Sequence, residues 1–163
     1  MHACTRLIAC LFAHLQLDRP DLALQSAADA AALDDDAAIA SLALAWASLR
    51  AGGDHVGEAV AVFQDLTSRW GTSHALANGL AAAHMALGEA DQAMRVLQEA
   101  QSACGTSAET LVNMVAAARH LHMPQARVDS LLQTLRQIAP KHPWLEEQDR
   151  GVAALERVCA AHA

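Results

Sequence analysis

Tyrosine is absent from this chain, aromatic residues are only 3% of it, and Lys141 is its single lysine among 163 residues. Each shortage excludes something. With aromatics scarce and about a quarter of the positions alanine, the best helix former and a poor strand former, the composition argues for tightly packed helices rather than sheet. A net charge of −7 opposes phosphate backbones and anionic head groups, so no direct binding of nucleic acid is expected. Long apolar runs are also missing. The stretch Ala37 to Leu49 has 13 residues, short of the roughly 20 that cross a bilayer. Leu7 to Ala13 imitates the apolar part of a signal peptide but continues into His14, Leu15 and Leu17 at helical spacing with no small-residue cleavage site, and reads as a core helix. The four cysteines, Cys4, Cys10, Cys104 and Cys159, have neither C-x-x-C pairing nor partner histidines at zinc spacing. They are expected to be buried free thiols in a reducing compartment. The length suits one domain.

What is present is a repeat. Four segments each carry an apolar helical stretch, a short break and a second helical stretch with a small residue one turn in. The breaks are Leu17-Asp18-Arg19-Pro20, Gly52-Gly53-Asp54, Leu87-Gly88-Glu89 and Leu121-His122-Met123-Pro124. The small residues are Ala23, Ala59, Ala93 and Ala126, at intervals of 36, 34 and 33, close to the roughly 34 of a tetratricopeptide-type helix-turn-helix repeat. The third repeat is the cleanest, with Leu80, Gly88, Ala93, Leu97 and Ala100 at the large, turn, small, large and small positions. Small residues at such points let helix backbones approach while leucines fill the space between pairs. Arg50 and His14 stand where an apolar residue is usual.

Punctuation supports the same phase. Asp34-Asp35-Asp36 precedes the helix containing Trp46 and suits a cap at a positive helix end. Thr106-Ser107-Ala108-Glu109 has the T-x-x-E form of a capping box, and Ser68 to Ser73 reads as polar loop with a cap. Pro140 and Pro143 break the pattern, after which Trp144 to Ala161 reads as an amphipathic helix with Leu145, Val152, Leu155, Val158 and Cys159 on its apolar side. The expected architecture is therefore an all-α tetratricopeptide-like solenoid, one domain over 1–163. Helix pairs are placed at about 3–34, 36–70, 73–104 and 107–139, with a C-terminal capping helix at about 143–161.

Chemistry at sites is thin. Nine histidines invite a metal reading, yet none has ligand spacing; His120 and His122, two apart at a helix end, are expected on different faces. No H-E-x-x-H, P-loop, G-x-S-x-G or G-x-G-x-x-G occurs. No catalytic residue, cofactor site or metal site is assigned. A helix-pair solenoid instead presents a concave groove built from the first helix of each pair. Its candidate lining is Thr5, Ile8 and Phe12 in repeat one, Asn78, Ala82, Met85 and Ala86 in repeat three, and Val112, Ala116, Arg119 and His120 in repeat four. For Phe12, Met85 and Val112 ordinary core is the competing assignment.

From Leu17 to about Glu147 the chain resembles the coatomer epsilon-subunit family of the COPI vesicle coat. The resemblance is carried by LDRPDLA (Leu17 to Ala23), LAWASLRAGG (Leu44 to Gly53), VFQDL (Val62 to Leu66), NGLAAAHMALG (Asn78 to Gly88), VLQEA (Val96 to Ala100), ETLVN (Glu109 to Asn113) and KHPW (Lys141 to Trp144). Each is weak alone; their collinear order is specific. The resemblance implies a non-catalytic coat subunit of Golgi-to-ER and intra-Golgi transport that binds the C-terminal domain of the alpha subunit. It would be cytoplasmic and peripheral at Golgi membranes, with no transmembrane segment. The resemblance also implies further helices before this segment. The alternative is a generic peptide-binding adaptor or co-chaperone. A clamp for an acidic C-terminal tail is disfavoured, because such a grip needs clustered Lys and Arg, whereas the one lysine lies outside the four repeats and only Arg119 has a groove position.

Overall fold

The computed structural model describes residues 2–33 and 38–161, with side chains from Arg6 onward except that of Ile8. Its helices are α1 (His2–Gln16), α2 (Pro20–Leu33), α3 (Ala38–Ala51), α4 (His55–Trp70), α5 (His74–Ala86), α6 (Ala90–Cys104), α7 (Ala108–His120), α8 (Gln125–Ile138) and α9 (Pro143–Ala161). No strand occurs among the described residues. The acidic run Asp34-Asp35-Asp36, expected as a cap, lies outside them.

In three of the four pairs the turn uses one residue in the left-handed region, where glycine has no Cβ penalty, and the α3–α4 turn uses two, Gly52 and Gly53. Gly88 (φ 79°) supplies it between α5 and α6, Asp18 (φ 56°) between α1 and α2, and His122 (φ 50°) between α7 and α8. The same backbone bond closes all three turns: Arg19 N–H to His14 C=O (2.9 Å), Glu89 N–H to His84 C=O (2.9 Å) and Met123 N–H to Ala118 C=O (3.0 Å). Between pairs the loops are short. Gly71 and Gly105 end α4 and α6, and the Ser73 hydroxyl accepts the Leu76 N–H (3.3 Å) to cap α5. The polar loop expected from Ser68 thus shrinks to 71–73, residues 68–70 being the end of α4.

Ala23, Ala59 and Ala93 are fully buried, as helix-pair contacts should be, but Ala126 is exposed and Val128 is buried instead. The reason lies in the turn: α2 and α6 begin two residues after their left-handed residue, whereas α8 begins three after His122. That extra residue carries the inward position past Ala126.

Packing proceeds in three linked clusters. Leu11, Ala23, Ala27, Ala30, Ala40, Ala43 and Ala47 form the first, and Val56, Ala59, Phe63 and Leu80 anchor the middle one. Phe63 is fully buried and meets Trp46 edge-on at 5.4 Å. A methyl group on Gly79 would overlap the Phe63 ring, so α5 needs glycine there to approach α4. The third cluster joins α5 to α9 through Leu97, Leu111, Met114, Leu131, Leu135 and Leu145.

Polar side chains pin the repeats in register. Within pairs, His14 Nδ1 and the Ser26 hydroxyl are 3.2 Å apart, Ser48 donates to Glu58 (3.2 Å), and His84 Nδ1 lies 2.7 Å from Glu89. Between pairs, Arg50 Nη2 donates to Asp18 (2.6 Å) and His74 meets Thr110 (3.2 Å), while the other ring nitrogen of His74 lies 3.3 Å from the Cys104 carbonyl of its own pair. Arg50 and His14, unusual at apolar positions, therefore serve as ties. Glu109 does not form the expected capping box: Ser107 occupies the cap position without a side-chain bond, and Glu109 reaches His142 (3.1 Å) 33 residues on. His142 Nδ1 accepts the Trp144 N–H (3.2 Å), which leaves Nε2 as the donor to Glu109.

Two further expectations are corrected. Cys10, Cys104 and Cys159 are exposed, not buried; Cys104 sits at a helix end, donating Sγ–H to the Thr72 carbonyl (3.4 Å), while Cys10 and Cys159 occupy helix faces that no other element covers. In α9 only the first turns cap the solenoid. Leu145 is buried there and Arg136 grips Asp149 (2.7 Å), but Val152, Leu155, Val158 and Cys159 face solvent because, among the described residues, no helix packs beyond Asp149.

Candidate partner-binding groove

Successive first helices touch: α1 meets α3, α3 meets α5 and α5 meets α7, while the second helices make no comparable mutual contact. A stack that is closer on one side must curve toward it, so α1, α3, α5 and α7 line the inner face. The groove expected from sequence therefore has its helices in place.

Its candidate residues differ in setting. Phe12 projects from α1, 50% exposed, against no cluster. Asn78 is half-buried on α5 beside half-buried Ala82, and its Oδ1 is shut from water without a hydrogen-bond partner. Such an atom is costly unless something else satisfies it. Met85 and Val112 are half-buried and pack against the third cluster, so the core assignment accounts for the covered part of each. Ile8 and Thr5 lie among the side chains that are not described. Arg119, at the end of α7, is exposed; its guanidinium lies over the Trp144 ring, 5.8 Å from the centroid, and Nη1 donates to Gln148 Oε1 (3.0 Å).

Around Arg119 the structure builds a cleft of about 480 Å³ between α7 and α9, lined by Ala116, Arg119, His120, His122, Trp144 and Gln148. His120 and His122 were expected on different faces. They share this cleft because α7 ends at His120, and the left-handed turn at His122 swings its side chain back. The sequence reading missed Trp144, Gln148 and His122 as site residues; the KHPW segment was visible, but only the fold brings it against Arg119. A second hollow, of about 360 Å³, lies between Ile39, Leu42, Leu66, Trp70 and Leu76 and is almost wholly apolar. Trp70 there is 69% exposed.

Among the described residues no three His, Cys, Asp or Glu side chains are grouped to hold a metal ion, and no helix is long and apolar enough to cross a membrane. What the face can offer chemically is hydrogen bonds, an arginine, and apolar contact area.

Comparison with known proteins agrees in fold and family. A thermophilic TPR protein of Thermus thermophilus superposes with a TM-score of 0.73 at 18% identity, covering 84% of this chain and 75% of that one; this shows the fold. In sequence, coatomer subunit epsilon-2 of Oryza sativa subsp. indica is 30% identical over 147 residues, 90% of this chain and 48% of the relative. Coatomer subunit epsilon of Dictyostelium discoideum is 28% identical over 144 residues, covering 87% and 48%. Coatomer subunit epsilon-1 of Arabidopsis thaliana is 29% identical over 129 residues, covering 79% and 42%. The chain thus spans about half the length of these relatives. With the family model of the coatomer epsilon subunit matching residues 6–163, on a helix-pair solenoid of the expected kind, the chain belongs to the coatomer epsilon-subunit family.

Proposed function

We propose that this chain is a non-catalytic structural subunit of the COPI coat that binds the C-terminal domain of the coatomer alpha subunit in its concave groove. It would act in Golgi-to-ER and intra-Golgi transport, cytoplasmic and peripheral at Golgi membranes and COPI vesicles, reaching the membrane only through the coat. The observation that carries this reading is the family match over residues 6–163; the groove of first helices is the surface through which a solenoid of this kind holds a partner. Partner contact is assigned to Ile8, Phe12, Asn78 and Arg119, with Met85 and Val112 shaping the floor. Burial of a preformed surface needs no large rearrangement of the solenoid.

Co-expression with the C-terminal domain of the alpha subunit, followed by size-exclusion chromatography, tests the reading. A stoichiometric co-eluting complex is expected. Separate elution, with both proteins folded and helices preceding this segment in the relatives supplied in a longer chain, would reject it in favour of an adaptor with another ligand.

A further inference from the structure

The geometry points to a carboxylate-binding subsite in the α7–α9 cleft, taking an aspartate or glutamate side chain from an extended acidic segment of the bound partner. This deepens the coat-subunit reading, on which it rests, by naming the chemistry of one contact.

Three observations converge. First, Arg119 is oriented but not neutralised. Trp144 supports its guanidinium and the neutral Gln148 holds Nη1, whereas Arg19, Arg50, Arg69, Arg95, Arg136 and Arg150 pair with carboxylates and Arg127 and Arg157 lie outside the cleft. The acids flanking Gln148 on α9 are engaged elsewhere, Glu147 with Arg150 (2.8 Å) and Asp149 with Arg136 (2.7 Å). Its remaining fork of donors suits a carboxylate.

Second, His122 holds a left-handed conformation (φ 50°) at the turn position where Gly88 stands one repeat earlier. Asp18 tolerates the same conformation and uses its side chain to pair with Arg50 (2.6 Å). His122 has no side-chain partner among the described residues and faces the cleft, so a residue less suited to the turn than glycine places an imidazole donor beside Arg119. Third, on a chain of net charge −7, this cleft gathers Arg119, His120 and His122 against no free acid, which favours an anionic guest. A single subsite does not require the clustered cations of a clamp repeated along the groove.

The probe is an end-blocked acidic peptide, Leu-Asp-Glu-Leu-Glu-Leu, and its Asn/Gln counterpart. The readout is the Trp144 indole N–H in two-dimensional nitrogen–proton spectra, assigned with Trp144→Phe. The acidic peptide should shift that signal saturably and the amide peptide should not. Arg119→Gln should weaken binding about tenfold. His122→Gly should weaken binding about threefold while its melting temperature stays the same or rises, since glycine suits the turn. No saturable shift up to about 10 mM, equal binding of the amide peptide, or undiminished binding by His122→Gly would overturn the subsite. Co-elution of the alpha-subunit domain with both variants at unchanged affinity would overturn it while leaving the coat reading standing. Acidic-peptide binding without co-elution, even of the longer chain, would leave the subsite and reject the coat reading.

Discussion

The two ends of the solenoid solve the same packing problem with different side chains. Around α1, α2 and α3 the buried cluster is Leu11 and six alanines, with Leu7, Leu15, Leu24 and Leu44 half-buried at its margins. Around α7 and α8 it contains Leu111, Met114, Val115, Val128, Leu131, Leu132 and Leu135, with alanine in the minority. Alanine brings backbones close but removes little apolar surface from water, and stabilisation scales with that surface. The alanine end is therefore the weaker half of a structure in which each pair leans on its neighbours.

The largest way to break this contrast is to empty the large-residue end. Leu135→Ala, at a fully buried site, should cost about 2–5 kcal/mol in a chemical denaturation midpoint. Filling the other end should cost less: Ala43→Leu, 2% exposed between close backbones, is expected to lose about 1–3 kcal/mol by overpacking. A neutral or stabilising result would show a loose alanine cluster and erase the comparison. At the junction, Gly79→Ala sets two effects against each other. Helix propensity favours alanine by about 1 kcal/mol, but the Phe63 ring, buried and braced by Trp46, has nowhere to move. Net destabilisation of about 1 kcal/mol is expected, and Phe63→Leu should relieve it. Without any mutation, backbone amides of α1 and α2 should exchange with deuterium faster than those of α7 and α8; equal protection would show one undivided cooperative unit.

The smallest effect belongs to the exposed ion pair at the start of α2. Hydrogen bonding from Arg19 lowers the Asp21 carboxyl from 3.8 to about 2. Its folded value lies below its unfolded one, so the contribution is present above the ordinary carboxylate range and disappears as pH falls from about 4 through about 2. The melting-temperature difference between wild type and Asp21→Asn should be slight at neutral pH, shrink with added salt, and vanish near pH 2.

The unequal ends also show what the sequence could reveal. Turn residues and small-residue spacing are local, so Gly88, Ala23, Ala59 and Ala93 disclose an all-α repeat in the sequence alone. Val128 escaped because one extra turn residue rotates α8, which no residue type announces. Glu109 looked like a local cap because its true partner, His142, is 33 residues away. The apolar side of α9 was legible, but whether a helix covers it depends on a neighbour that periodicity in α9 does not encode. In the groove, Arg119 was visible as the one cation; the Trp144, Gln148 and His122 that give it a setting come from a turn and another helix.

The central claim is that the inner face of first helices holds the partner. Hydrogen exchange with and without the C-terminal domain of the coatomer alpha subunit tests it most directly. The account predicts new protection in α1, α3, α5 and α7 and at the start of α9, with α4, α6 and α8 changed little. Protection concentrated on α4, α6 and α8, with the inner helices unchanged in a formed complex, would contradict it.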